Sequence, residues 1–182
     1  MRHSHLGNRI ALATILTVAI SLTPTLSSLG SSATPRTSPC EPGDTEIVMG
    51  PGGAGLGHWS ITLLLVDPGA RTCTFKGYPT VRAFVSLTRH WVAARRTPSG
   101  YLGGLGSGQT IMPVTLTFDT VASFMIEGTD VPVGNARSCP QYVRLVAALP
   151  GWHPTANLPI DAPACSMLQV HPLVIGPTGD QR

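Results

Sequence analysis

The chain is predicted to be all-β: two antiparallel sheets packed face to face as a β-sandwich of about eight or nine short strands. Three observations carry that expectation. Glycines number 20 and prolines 17 among 182 residues, so nearly every window that could hold a long helix is interrupted. The apolar runs between these breaks are short and alternate with period two. Cysteines number four, an even count that reads, in an exported chain, as two disulfides.

Export is expected from the first residues. Met1 to Arg9 is basic, and Ile10 to Leu22 is an uncharged apolar run. That run is shorter than the roughly 20 residues a membrane-spanning helix needs and fits the ~7–15 of a signal sequence. Pro24 then breaks it, and Ser31-Ser32-Ala33 offers small residues for cleavage. The alternative is an uncleaved anchor, since no charge follows until Arg36. Cys40 follows Thr37-Ser38-Pro39, which is not a lipobox, and no twin arginine precedes the apolar run. The expected organisation is a signal peptide over 1–33, a Pro/Ser/Thr-rich linker over 34–44, the domain over 45–176 and a polar tail over 177–182.

Charge says little about partners. The formal net charge of +3 includes Arg2 and Arg9 of the signal segment, which leaves ten basic against nine acidic residues. The only adjacent basic pair in that remainder is Arg95-Arg96, too small a cluster for a nucleic-acid surface. Nucleic acid is therefore not an expected partner.

Taken in order, Glu46 to Met49 begins the domain as a short strand. Gly50-Pro51-Gly52-Gly53-Ala54-Gly55 matches the letters of a dinucleotide-binding turn, but no helix comes after it to receive a pyrophosphate. The next segment is instead a strand, Trp59 to Val66, with Trp59, Ile61, Leu63 and Leu65 on one face. Asp67 to Arg71 forms a tight turn, and Thr72 to Lys76 returns as the hairpin partner of that strand. Gly77-Tyr78-Pro79 redirects the chain. Val81 to Leu87 reads as a strand, although Val81, Phe84, Val85 and Trp91 also recur at helical spacing. Trp91 to Ala94 adds a short strand. Gly100 to Gly108 reads as a flexible connector, and Leu105 rules out a nucleophile elbow around Ser107. Thr110 to Phe118, Val121 to Gly128 and Tyr142 to Ala148 are strands. Pro150 to Cys165 is a proline-punctuated loop, Met167 to Ile175 a final strand, and the last residues fray.

The cysteines Cys40, Cys73, Cys139 and Cys165 allow three pairings. The sequential one, Cys40–Cys73 with Cys139–Cys165, closes the shorter loops and is favoured. No close C-x₂₋₄-C pair suggests zinc.

The stretch Cys73-Thr74-Phe75-Lys76-Gly77-Tyr78-Pro79-Thr80-Val81 resembles a signature of the DUF4232 family, with a Gly-rich turn at Gly53–Gly57 before the apolar strand Ile61–Val66 and cysteines at Cys40, Cys139 and Cys165. The resemblance spans about residues 40–175. It implies an exported actinobacterial protein, an immunoglobulin-like sandwich and the disulfides, and it brings no activity. Asp67 and Phe118-Asp119-Thr120 depart from the family's usual turns.

The functional expectation is an exported, cell-envelope-associated or secreted binding or structural module, not an enzyme, with no cofactor. Its partner would be a protein or envelope component, and membrane contact would come only through an uncleaved signal segment. Binding residues are sought in the loops, where sandwiches usually bind: Trp91, Arg95, Arg96 and Tyr101 in one group, Trp152 and His153 in another. The rival reading is a metal-binding protein or hydrolase using His153 and His171. Against it, the histidines lack HxH or HExxH spacing. Asp44/Glu46 and Glu127/Asp130 read as solvated turn charges.

Overall fold

The strands grow from the alternating apolar stretches and from several segments that lack such alternation. In chain order they are β1 (Ser38–Pro39), β2 (Glu46–Gly55), β3 (His58–Val66), β4 (Cys73–Phe75), β5 (Thr80–Val85), β6 (His90–Ala93), β7 (Arg95–Arg96), β8 (Gly104–Leu105), β9 (Val114–Leu116), β10 (Ala122–Thr129), β11 (Gln141–Ala148), β12 (Ala156–Pro163), β13 (Gln169–Val170), β14 (Val174–Ile175) and β15 (Asp180–Gln181). They belong to a computed structural model that describes residues 37–66, 71–153 and 156–182, and no helix occurs among the described residues. The expected signal segment and most of the turn expected at Asp67 to Arg71 lie outside them.

Two larger sheets dominate. One runs β2-β3-β10-β13-β7 with β14 also on β10, the other β12-β11-β5-β6; β1-β4-β9 and β15-β8 are smaller. Alternation explains how the larger sheets meet. Leu63 and Leu65 of β3, Phe124 and Ile126 of β10, Val81, Ala83 and Val85 of β5, and Leu145 and Ala147 of β11 form one buried cluster. Trp59 joins it edge-on to Tyr142, their centroids 6.2 Å apart, and donates its indole N–H to the carbonyl of Pro163. Burying each large apolar side chain contributes about 1.5–3 kcal/mol. The all-β class stands, as do the two disulfides Cys40–Cys73 and Cys139–Cys165, with Cα–Cα separations of 4.8 and 4.9 Å. β5 also settles its ambiguity as a strand, burying Val81, Ala83 and Val85 and exposing Thr80 and Arg82.

Several expectations give way. β4 does not make a hairpin with β3: it pairs with β1 and β9, because both edges of β3 are taken by β2 and β10. Three pairings are parallel rather than antiparallel, β1–β4, β7–β13 and β8–β15. Each parallel pair spans only two residues a side and joins segments far apart in sequence, so no hairpin constrains its direction. The proline-punctuated stretch contains a full strand, β12, whose Pro159 and Pro163 are tolerated because it is a sheet edge. The expected final strand is interrupted at His171, leaving β13 and β14 to pair separately with β10. The C-terminal tail is not frayed, since Asp180 and Gln181 pair with Gly104 and Leu105.

Candidate functional site

In β10 the residues Phe124 and Ile126 enter the core, so Ser123, Met125 and Glu127 fall on the opposite face of that sheet. Two segments cover this outer face. Gly179 N–H donates to Ser123 Oγ (2.8 Å), which donates to Gly176 O (2.6 Å), and Thr62 Oγ1 donates to Thr178 O (3.3 Å). The other cover is the loop from Thr97 to Leu105, fastened to Glu127.

Glu127 is 0% exposed and is the one buried carboxylate among the described residues. Oε1 accepts from the Tyr101 N–H (2.8 Å) and lies 3.0 Å from His58 Nδ1; Oε2 accepts from the Leu102 N–H (3.0 Å) and lies 3.3 Å from His171 Nε2. His171, also 0% exposed, has Nδ1 at 3.1 Å from both the hydroxyl and the carbonyl oxygen of Thr97. The Thr97 hydroxyl donates to Gln169 Oε1 (3.0 Å). The ring therefore bridges the buried carboxylate, on its Nε2 side, and the Thr97 hydroxyl and carbonyl, on its Nδ1 side. The reading of Glu127 as a solvated turn charge is thereby overturned. A buried carboxylate must be paired and hydrogen-bonded, and here two histidines and two backbone amides do so.

Two neighbours give each oxygen a full set of donors, so the carboxylate has no lone pair directed at a substrate. The chemistry of the cluster is that of a clamp: it holds the glycine-rich loop against the sheet. That corrects the flexible-connector expectation for Gly100 to Gly108. Gly104, at φ +101°, also reaches Gly179 O through its N–H (3.0 Å). Among the described residues, no group of three or more His, Cys, Asp or Glu side chains is arranged to hold a metal.

The clamp presents an apolar patch. The Tyr101 ring stacks on His58 at 4.5 Å between centroids and stays 48% exposed. Next to His58, the two-residue turn of the β2–β3 hairpin carries Leu56, 84% exposed. Asp130 N–H donates to Gly57 O (3.1 Å), which brings Val131, 56% exposed, against the same turn.

The other residues sought for binding are spread out. Trp91 is half-buried beside Phe84, with the Arg82 guanidinium over its ring at 5.7 Å. Arg95 and Arg96 form β7, and Arg96 Nη2 donates to Thr80 Oγ1 (3.1 Å). Trp152 packs against Phe75 and donates to Cys40 O (3.2 Å), beside the first disulfide. His153 is exposed, whereas His171 is buried; the histidine that shares a carboxylate with His171 is His58. The alternating face of β10 was the available signal for Glu127, since it sets the strand's one charged residue in line with Ser123 and Met125, opposite Phe124 and Ile126. Its histidine and loop partners lie 25 to 69 positions away and leave no local pattern.

A family profile described as a domain of unknown function, DUF4232, matches residues 40–178. The chain belongs to the DUF4232 family. In this DUF4232 chain the matched span runs from the first cysteine to the segment that covers the outer sheet face, so both disulfides and the Glu127 clamp lie inside it. No curated protein and no solved structure matches the chain. The two disulfides of the DUF4232 domain fit an oxidising compartment outside the cytoplasm.

Proposed function

We propose that this chain is an exported, non-catalytic binding module of the cell envelope or extracellular space, an immunoglobulin-like sandwich that recognises a protein or envelope component through its clamped loop cluster. The observation that carries the reading is the Glu127 clamp. Its two oxygens are spent on Tyr101, Leu102, His58 and His171, which holds Tyr101 stacked on His58, the residue that follows the turn carrying exposed Leu56. A rigid aromatic among exposed apolar neighbours is what binding surfaces use, because little side-chain freedom is lost on contact. Export is supported by the basic and apolar N-terminal segment with its small residues near Ala33, together with the disulfides.

The test is site-specific photo-cross-linking in a producing cell, with a photoreactive amino acid at Tyr101 and, as control, at exposed Arg137. A discrete adduct from position 101 alone supports the reading. Equal labelling from both positions sinks it. So does stoichiometric metal in the purified protein that is lost on His171→Ala or His153→Ala, which would favour the metal or hydrolase alternative.

A further inference from the structure

The β2–β3 hairpin closes through Leu56 and Gly57, at φ +47° and +80°, the two positive values of a type I′ turn. In such a hairpin the flanking pair, Gly55 and His58, exchanges both backbone hydrogen bonds, and the pattern then alternates along the strands. Gly53 with Ser60 is hydrogen-bonded; Ala54 with Trp59 and Gly52 with Ile61 are not. The N–H and C=O groups of Gly52 and Ala54 therefore point away from β3. No strand among the described residues pairs with that outer edge.

A cleft opens on each face of this edge. One, of about 310 Å³, is bounded by Gly52 to Ala54, Thr62, Leu102, Met125 and Asp180, whose charge is met by Arg182. The other, of about 440 Å³, lies between Gly52 to Ala54 and the facing edge strand β12 at Asp161 to Pro163, with Trp59 and Ile61 as its floor. Exposed, unpaired strand edges of this kind recruit further strands unless blocked. Neither a lysine nor an inward charge blocks this one; Pro51 alone interrupts it, at the bulge between Met49 and Gly52.

We propose that the β2 edge at Gly52–Ala54 binds an extended segment of a partner polypeptide by strand addition. Backbone groups of the added strand would meet those of Gly52 and Ala54, and its alternate side chains would enter the two clefts. The lining calls for apolar side chains at alternate positions. Asp161 is exposed and in no ion pair among the described residues, which calls for one basic side chain on the β12 side. A second copy of this chain is the poorer occupant, since its own β2 edge would offer glycines at 52, 53 and 55 and leave both clefts unfilled. Tyr101 lines neither cleft, although Leu102 next to it bounds the first, and the inference does not depend on the loop-cluster reading.

The experiment uses the purified full chain to select from phage-displayed random dodecapeptides, followed by titration of the selected peptides in synthetic form. The expected result is enrichment of sequences with alternating apolar residues and one Lys or Arg. Ala54→Pro should weaken them at least tenfold, because it deletes an outward N–H while leaving the pairing with β3 intact. Asp161→Lys should remove the preference for a basic residue, and Tyr101→Ala should change nothing. Methylating alternate backbone nitrogens of a selected peptide should abolish binding, which keeps the test valid even if Ala54→Pro fails to fold. The proposal is overturned by absence of enrichment, by binding that survives peptide N-methylation, by binding lost with Tyr101→Ala, or by sedimentation showing a dimer that Ala54→Pro dissociates.

Discussion

A β-carbon placed on Gly100 would fall on Oε2 of Glu127 and within 2.7 Å of Nε2 of His171. The glycine is therefore required by close approach: the loop can lie flat on the buried carboxylate, and donate Tyr101 and Leu102 N–H groups to it, only because this position has no side chain.

Gly100→Ala should accordingly lift the loop from the sheet. The expected loss is about 1–3 kcal/mol, the usual cost of overpacking, accompanied by faster proteolysis between residues 98 and 105. Urea unfolding and limited proteolysis of the same variant check both; a variant as resistant as the parent would mean that the loop is held by something other than the clamp.

Glu127→Gln keeps the size of the side chain but replaces an acceptor oxygen with an NH₂ group facing donors. Leaving buried donors unsatisfied in this way costs about 1–3 kcal/mol, so Tm should fall by roughly 2–12 °C for a chain of this size. Calorimetry is the readout. A merely surface carboxylate would give almost no change.

Each disulfide closes a short loop, with sequence separations of 33 and 26 residues. Paired replacement by serine should cost about 3.5 kcal/mol per bridge on the chain-entropy model. Cys40→Ser/Cys73→Ser should also loosen β1, whose pairing with β4 spans only two residues. Denaturant midpoints of the two double variants, compared with hydrogen exchange at β1, test this.

Burial pushes the Tyr142 hydroxyl above its ordinary value of 10.0. A group whose pKa is raised by folding contributes stability that is fully present below the unfolded value and lost as pH climbs through the folded one. Stability should thus decline above about pH 10, and Tyr142→Phe should flatten that decline. Asp180 has the opposite sign. Burial would raise its carboxyl, but hydrogen bonds and charge from Arg182 outweigh burial and hold it below 3.8. Its contribution is present above that value and lost as pH falls through the folded one, so acid should free β15 from β8 first. Amide exchange of the last three residues between pH 5 and 2 reads this directly, with Asp180→Asn as the control.

The strands that the sequence makes legible are the ones with their own signal. β3, β5, β10 and β11 combine alternation with β-branched or aromatic residues, and each lies where the alternation places it. β12 was hidden because Pro159 and Pro163 argue against a strand until its position at a sheet edge is known. β8 and β15 were hidden because each is too short to stand without the other. The clamp was hidden for the same reason: Thr97, Gly100, Glu127 and His171 have no common spacing.

By itself, then, the sequence determined the all-β class, the export expectation, the four-cysteine framework and the faces of the main strands. Those properties depend on local periodicity, proline and glycine content, and cysteine count, all of which act over a few residues. Only the tertiary structure decided that Glu127 is buried, that the glycine-rich loop and the C-terminal tail are bound to the outer sheet face, and that the β2 edge is left open between two clefts. These depend on contacts between segments 25 to 116 residues apart. Whether a polar side chain is solvated or clamped is settled by what the fold lays over it.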